Sequence, residues 1–338
     1  MSQAVPITAL ITVYNGAAFL ADAIRSVQNQ TLSVAEILVV DDGSTDGSAD
    51  LARAMGVKVI SQENQGAAAA RNTGIQAASQ EWIAFLDHDD VWKPEKIEMQ
   101  WQAHQLCPDA GLVFTDFSEV DEGSSEARVP SVFSLPESGF DRLKRNFVAA
   151  DISHRPTMDQ EVFETIKKNV FLPSSTLAKR DLVISAGLFQ TDLFPVDDID
   201  FFLRCFAITS VAFVERPLMR YRSHSNNTTK NELRMFRGFF RFTDRMAAAP
   251  HIYPAGAIAV LTAPEALSPK YSEAARLLID AGETREARRL LQESLRLRKS
   301  LWPVVLWVLT WVTPKTYRFL LRAKRSLNVP KQSRGART

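Results

Sequence analysis

The run Trp82-Ile83-Ala84-Phe85-Leu86-Asp87-His88-Asp89-Asp90 joins a short apolar segment to three carboxylates that surround one histidine. The apolar part, rich in aromatic and branched side chains, is typical of a buried strand. A strand that ends in acidic residues places them at the carboxyl edge of a sheet, where open α/β sheets bind ligands. Clustered carboxylates favour a bound cation, and oxygen ligands suit Mg²⁺ or Mn²⁺. The alternative is an acidic turn in which Asp90 is the N-cap of the next helix.

Strand-like and helix-like segments alternate over the first 116 residues. The strand patterns cover 7–13, 36–40, 57–60, 82–86 and 111–116, and the helix patterns cover 18–28, 45–55 and 67–78, with another from about 94. This alternation predicts an α/β fold with a mostly parallel central sheet flanked by helices. The pattern weakens over 118–169, where we expect long loops with one or two helices, and two further strands are expected at 210–214 and 218–222.

The bulk composition is that of a folded protein without a strong overall charge. The 338 residues are 46% hydrophobic and 23% charged, with a net charge of +1, which argues against nucleic-acid binding by the molecule as a whole. The two cysteines have no metal-type or redox spacing, so we expect a reducing compartment. The N-terminus lacks the basic start and apolar core of a signal peptide, which favours a cytoplasmic location.

The C-terminal region has a one-sided charge. No acidic residue follows Glu293, whereas eleven lysines and arginines do, and the apolar run 301–312 contains Trp302, Trp307 and Trp311. A spanning helix needs about 20 apolar residues, so this run is too short to cross a bilayer. Tryptophans beside a basic tail predict a peripheral contact with the inner face of the cytoplasmic membrane. The alternative is a helix buried against the rest of the protein.

Polar residues follow the other predicted strands as well. Thr12, Tyr14 and Asn15 end the first strand, and Asp42 ends the second within Asp41-Asp42-Gly43-Ser44. Arg71 lies in the predicted third helix, after Asn64-Gln65-Gly66. In a parallel sheet these positions meet at one edge. There Tyr14 could stack on a base, Asp42 could accept a ring N–H, and Arg71 could hold a diphosphate. Each motif alone is a weak signal, because Asp41-Asp42-Gly43-Ser44 is often only a turn and an arginine such as Arg71 is more often a surface residue than a ligand.

These four motifs, in this order, closely resemble the family 2 glycosyltransferases, which have the GT-A fold. The resemblance is dense over residues 5–117 and continues in patches to about 230. It implies a nucleotide-sugar donor, usually a UDP-sugar. The donor residues that the resemblance implies are Thr12, Tyr14, Asn15, Asp42, Arg71, Asp87 and His88. Asp87-His88-Asp89 fills the place of the family's Asp-X-Asp motif, in which Asp89 would bind Mn²⁺ or Mg²⁺.

Two later segments resemble the family's acceptor half. Asp197-Asp198-Ile199-Asp200 is similar to its Glu-Asp-X-Asp stretch, and Asp198 falls where inverting members have the catalytic base. A carboxylate there would take the proton from the acceptor hydroxyl. The alternative is an acid-rich helix N-terminus, which is electrostatically favourable. Arg222-Ser223-His224 looks like the family's Arg-X-His segment, so His224 is expected to be a further metal ligand or a diphosphate contact.

The sequence therefore predicts a GT-A domain at 1–230, with a donor half at 1–117 and an acceptor half at 118–230. A helical connection (231–270), a helical hairpin (271–300) and an amphipathic, Trp-containing basic tail (301–338) follow. The expected function is metal-dependent, inverting transfer of a sugar to a glycan or lipid-linked saccharide in cell-surface polysaccharide assembly. Two alternatives stay open. One is a catalytically weak, glycosyltransferase-like scaffold protein. The other is a sugar-nucleotide pyrophosphorylase, which the lack of a Gly-rich phosphate loop after the first strand disfavours.

Overall fold

A computed structural model describes residues 4–124, 126–135, 146–149, 151–155, 171–225 and 227–310. The chain forms two compact units. The first comprises residues 1–230 and 238–260, and the second comprises residues 231–237 and 261–338.

One sheet dominates the first unit. In the described residues it has eleven strands: β1 (Val5–Val13), β2 (Val34–Asp41), β3 (Lys58–Ser61), β4 (Trp82–Asp87), β5 (Val91–Trp92), β6 (Ala110–Asp121), β7 (Ala127–Val129), β8 (Asn146–Ala149), β9 (Ile152–Arg155), β10 (Thr176–Lys179) and β11 (Ser210–Ser223). The main order is β3-β2-β1-β4-β10-β6-β11-β9-β8.

The donor half of the sheet is parallel and the rest is mixed. Strands β3, β2, β1 and β4 run parallel to one another, so that their carboxyl ends share one edge. Strand β10 runs antiparallel between β4 and β6, and β11 is parallel to β6. The α/β prediction is confirmed, with β10 breaking the parallel pattern in the middle of the sheet.

Strand β11 is a single long element where the sequence predicted two strands. Its register against β6 shifts on both sides of Pro217. Proline has no N–H to donate to the ladder, so the pairing is interrupted locally while the strand itself continues. The long strand thereby reaches from the core to His224.

Eight helices lie wholly or partly in the described first unit: α1 (Ala17–Gln28), α2 (Ser48–Ala54), α3 (Ala67–Ala77), α4 (Lys96–Leu106), α5 (Arg180–Ser185), α6 (Asp197–Phe206), α7 (Glu232–Ala248) and α8 (Ala255–Leu261). Helix α7 begins in the second unit and continues into the first. The alternative in which Asp90 caps a helix is wrong, because α4 begins only after Glu95. Asp90 instead precedes β5, which pairs with β11.

Helix α6 belongs to the aromatic core and to the sheet edge at once. Phe201, Phe202 and Phe206 are buried, and the Phe201 ring stacks on Phe189 with centroids 4.0 Å apart. Three aspartates occupy the first turn of α6, where negative charge is favourable to the helix dipole. Aromatic packing thus fixes where the acidic start of α6 lies.

Helix α3 lies very close to β1. A Cβ atom on Gly74 would come within 2.2 Å of the Leu10 side chain, so only glycine fits there without rearrangement. This close approach sets the position of Arg71, one turn earlier on the same helix.

The second unit contains α9 (Pro264–Ala281), α10 (Thr284–Leu297) and α11 (Leu301–Leu309). Its core consists of Ala275, Leu278, Ile279, Ala287, Leu291 and Leu306. Leu306 of α11 is fully buried, whereas Val304, Val305 and Val308 are 42%, 37% and 53% exposed. Helix α11 therefore packs one face on the helical hairpin and leaves an apolar stripe uncovered. No helix among the described residues is long and apolar enough to span a membrane, and residues 311–338 of the predicted tail lie outside them.

Candidate active site

The ends of β1 and β4 meet at the carboxyl edge of the sheet. Thr12 lies between Val40 on one side and Asp87 on the other in the strand register. Its hydroxyl donates to Asp87 Oδ1 over 3.3 Å, and the backbone N–H of His88 donates to the Thr12 carbonyl, also over 3.3 Å. The predicted donor residues Thr12 and Asp87 are therefore direct neighbours.

The loops after β1 and β2 are tied together around Asn15. The Asn15 N–H donates to Ser44 Oγ (2.9 Å), and the Thr45 N–H donates to Asn15 Oδ1 (2.8 Å). Asn15 has a positive φ of 49°, which asparagine tolerates better than most residues. Its side chain is thus used to join two loops, and the neighbouring Tyr14 is left 49% exposed.

His88 fills the space beside Gly16. A Cβ atom on Gly16 would lie 2.0 Å from His88 Cδ2, so the ring occupies the position of any side chain there. The predicted donor residue His88 therefore packs against the start of α1.

Asp42 is buried and organises the loop before α3. Its carboxylate accepts hydrogen bonds from Gln62 Nε2 (2.7 Å) and from the backbone N–H groups of Gln65 (3.0 Å) and Gly66 (2.8 Å). A carboxylate has about four acceptor positions. Three are used within the protein, which leaves one for the base contact that the sequence predicts.

Arg71 joins the two halves of the first unit. Nη2 donates to both carboxylate oxygens of Asp87, at 2.8 and 3.1 Å, and Nη1 donates to Asp197 Oδ2 at 3.1 Å. The guanidinium lies over the Phe189 ring, 5.3 Å from its centroid. In this structure Arg71 binds two carboxylates, whereas the sequence predicted a guanidinium available for a diphosphate.

The electrostatics of Arg71 follow from this arrangement. Burial alone would lower the pKa of the guanidinium, but the charges of Asp87 and Asp197 raise it above its usual value. Arg71 is therefore always charged. Burial raises the pKa of Asp197, and Arg71 opposes that shift.

Asp89 and His224 meet from opposite sides of the site. His224 Nε2 lies 2.9 Å from Asp89 Oδ2, and the imidazole also packs near the Phe19 ring. The neighbouring Asp90 is buried and accepts a hydrogen bond from the Arg222 N–H (3.2 Å). The end of β11 is thus attached to the acidic motif at two consecutive carboxylates, which brings the two predicted metal ligands together.

Asp198 lies in the first turn of α6, next to the Asp197 that binds Arg71. Burial raises the pKa of Asp198 to about 7, the charge of Asp197 adds to this shift, and Arg71 opposes it. A carboxyl group with this pKa can accept a proton near neutral pH, as a general base requires. Asp200, two residues further on, is fully buried and binds Arg204 and the Tyr253 hydroxyl.

Sequence reasoning missed two residues of the site. Phe189 supports the guanidinium of Arg71, and Gln62 bonds both Asp42 and Thr73. Neither lies in a motif, and each acts through side-chain contacts between distant segments. Only the folded structure reveals them.

The described residues do not form a complete protein cage for a metal. Among them, no group of three or more histidine, cysteine, aspartate or glutamate side chains is arranged to hold an ion. The pair of Asp89 and His224 supplies one oxygen and one nitrogen donor.

Comparisons with known proteins identify the family. The family model "Glycosyl transferase family 2" matches residues 8–169. An uncharacterized glycosyltransferase of Rickettsia typhi is 30% identical over 230 residues, which cover 67% of each chain. The chain belongs to glycosyltransferase family 2. It is therefore a transferase enzyme.

Solved structures of other glycosyltransferases share the fold. S. aureus TarS 1–349 in complex with UDP-GlcNAc aligns over 96% of this chain and 93% of its own, with a TM-score of 0.59 and 14% identity. The chain covers 52% of a longer TarS structure. The mannosyltransferase PcManGT from Pyrobaculum calidifontis, in complex with GDP-Man and Mn²⁺, aligns over 96% of this chain and 88% of its own, with a TM-score of 0.53 and 17% identity. The GT-A prediction for this family 2 enzyme is confirmed.

The bridge made by Arg71 leads to a stability prediction. In Arg71→Met, two buried or half-buried carboxylates lose their shared cation. We expect the free energy of unfolding to fall by about 3 kcal/mol, the scale for breaking a buried ion pair from one side. Urea unfolding followed by tryptophan fluorescence measures this change.

The matched control is Arg71→Met combined with Asp197→Asn. Removing the unpaired charge should restore part of the lost stability. Equal stability of Arg71→Met and the unmodified protein would contradict the bridging role.

Proposed function

We propose that this family 2 enzyme is an inverting, metal-dependent glycosyltransferase that uses a nucleoside-diphosphate sugar, most simply a UDP-sugar. The acceptor is a hydroxyl of a glycan or of a lipid-linked saccharide in cell-surface polysaccharide assembly at the cytoplasmic face. The observation that carries the proposal is the Arg71 bridge. It bonds the first aspartate of the Asp-X-Asp motif and the residue before Asp198, so donor and base residues surround one side chain.

The donor site is proposed from the residues around Thr12 and Asp42. The half-exposed Tyr14 offers a ring face for a nucleobase. Asp42 has one acceptor position left for a ring N–H of the base. Asp87 lies beside Thr12, and we assign it to the ribose and sugar of the donor. The UDP-GlcNAc and GDP-Man in the two aligned structures support a nucleotide-sugar donor here.

A divalent cation is proposed at Asp89 and His224. Mg²⁺-type ions are usually bound by one or two carboxylates together with substrate phosphates, and imidazole also suits transition metals such as Mn²⁺. Asp89 Oδ2 and His224 Nε2 lie 2.9 Å apart, so both atoms could bind one ion in such an open site. The Mn²⁺ of the aligned PcManGT supports it. When bound, the cation would stabilise the negative charge of the departing nucleoside diphosphate.

Asp198 is proposed as the general base. Its carboxylate takes the proton of the acceptor hydroxyl as that oxygen bonds to the anomeric carbon of the donor. The bond from the anomeric carbon to the phosphate oxygen breaks on the opposite side, so the configuration inverts and the nucleoside diphosphate leaves. Arg71 holds Asp87 and Asp197 in place during this exchange.

Donor hydrolysis tests the donor site and the metal. Purified protein is incubated with UDP-, GDP- and dTDP-sugars and Mn²⁺, and the released nucleoside diphosphate is measured. We expect slow release from one donor, removed by EDTA and reduced at least about 100-fold in Asp89→Ala, because the metal ligand is lost.

Asp50→Ala is the matched control, because it removes an exposed carboxylate that pairs with Arg53, its one ionic partner among the described residues. Its hydrolysis rate should equal that of the unmodified protein. Failure of every nucleotide sugar to bind would contradict the proposed function and favour the scaffold alternative.

The pH dependence tests the base. Because Asp198 must be deprotonated to act, and its pKa is raised to about 7, kcat should rise with pH up to about 7 and then level off. Asp198→Asn should lower kcat at least about 1,000-fold with little change in donor binding, whereas the exposed Asp192→Asn should behave like the unmodified protein. A flat pH profile from 5 to 8 would contradict this assignment.

We also propose that the second unit holds the enzyme at the membrane. Val304, Val305 and Val308 form an uncovered apolar stripe on α11. The sequence after α11 is basic, and each Lys or Arg near an anionic surface contributes about 1 kcal/mol of attraction. Apolar burial and charge would act together at the interface.

Vesicle sedimentation tests this attachment. In Val304→Asp/Val308→Asp, we expect the fraction bound to phosphatidylglycerol vesicles to fall about tenfold, because two charges replace exposed apolar groups that would enter the interface. Ile208→Asp, at an exposed apolar position of the first unit, is the control. Deleting 301–338 should release the protein altogether, and unchanged sedimentation of that truncated protein would contradict the proposal.

A further inference from the structure

Two arginines lie within electrostatic reach of Lys93. Lys93 follows β5 directly, and Arg216 and Arg220 belong to β11. In the described part of the chain, none of the three is within ion-pair distance of a carboxylate. Arg71, Arg204 and Arg237, by contrast, all bind carboxylates there.

The strand pairing explains why Lys93 and Arg220 are neighbours. Arg220 is opposite Val91, and the Lys93 N–H donates to the Leu218 carbonyl over 2.8 Å. Lys93 is therefore opposite Leu218. Facing residues of antiparallel strands share one side of the sheet, as do residues two apart. Lys93 and Arg220 thus project to the same side.

The charges of the cluster act on one another. Partial burial lowers the pKa of Lys93, and the charges of Arg220 and Arg216 lower it further. Two carboxylates, Glu95 and Asp116, oppose this effect, and Glu95 acts on Lys93 more strongly than Arg216 does. Asp116 is already bonded to the Ser131 hydroxyl and to the N–H groups of Phe117 and Phe133. An anion bound beside Lys93 and Arg220 would relieve the repulsion that remains between these two cations.

The cluster lies along the strand that leads into the site. From Arg220 the chain runs to Arg222, whose N–H binds Asp90, and to His224, which contacts Asp89. Four residues of extended chain correspond to about 13 Å. Arg220 is therefore on the strand that leads to the proposed metal ligands, yet separate from the carboxylates that would hold the donor's metal.

We propose that Lys93, Arg216 and Arg220 bind the diphosphate group of a phosphate-bearing acceptor. This inference rests on the proposed function, since it assumes that a saccharide acceptor enters beside the donor. Arginine binds phosphate oxygens in pairs and lysine adds a point charge, so three cations can neutralise one diphosphate. The diphosphate could belong to a prenyl-type lipid carrier or to a soluble anionic saccharide.

The test measures binding of two probes to the full chain in EDTA, which removes divalent metal from the donor site. The probes are farnesyl diphosphate and inorganic pyrophosphate. In Lys93→Gln/Arg216→Gln/Arg220→Gln we expect the Kd of both to rise at least about tenfold, and Asp89→Ala should leave it unchanged. Binding by the unmodified protein should weaken with added salt. A much lower Kd for farnesyl diphosphate than for pyrophosphate would indicate a lipid carrier, and equal values a soluble acceptor.

The matched control removes three cations that are ion-paired, in Arg53→Gln/Lys58→Gln/Arg128→Gln. Its Kd values should equal those of the unmodified protein. The single variant Arg220→Gln, at an exposed position, repeats the test with little risk to folding and should raise the Kd about threefold.

Two results would overturn the proposal. One is an equal Kd for both probes in the triple variant and the unmodified protein. The other is a loss of binding to phosphatidylglycerol vesicles while the diphosphate Kd stays unchanged, since the cations would then bind a membrane surface. Binding of UDP-sugars with Mn²⁺ is measured on the same samples. If only that binding fails, the proposed function is wrong while the diphosphate site stands.

Discussion

The buried guanidinium of Arg71 is the interaction on which the candidate site depends. It bonds Asp87 at the end of β4 and Asp197 at the start of α6, so one side chain fixes the distance between the two acidic segments. Without it, the carboxylates of Asp87, Asp197 and Asp198 would repel one another without the shared cation, and the fold would be less stable. The position of Arg71 depends in turn on Gly74, which lets α3 approach β1.

A second set of contacts closes the other side of the site. Strand β11 passes Pro217 without ending and delivers Arg222 and His224 to two consecutive carboxylates of the acidic motif. The same strand carries the cations proposed to bind an acceptor diphosphate. One continuous element thus links the proposed metal ligands to the proposed acceptor site, so a change in the register of β11 would disturb both together.

The sequence predicted the elements whose signals are local. Alternating apolar runs located β1, β2 and β4, and the acids at the end of β4 marked the edge of the sheet. Position along the chain could not reveal that β10 inserts antiparallel beside β4, or that Arg71 is bonded to Asp197, because both depend on segments about 100 residues apart. Asp90 is a further example. Its position in the sequence suits a helix cap, but it is buried against β11 because β5 and β11 pair in the folded protein.

Helix α6 carries Asp197 and Asp198 at its start, and its phenylalanines fill the core. Substitutions that loosen the Phe201 and Phe189 stack would therefore shift the proposed base as well as weaken the fold. Selection for a new acceptor cannot easily act on this helix, since each change would alter catalysis and folding together. Variation in specificity among relatives should instead collect in surface segments that contribute neither to the aromatic core nor to the Arg71 bridge.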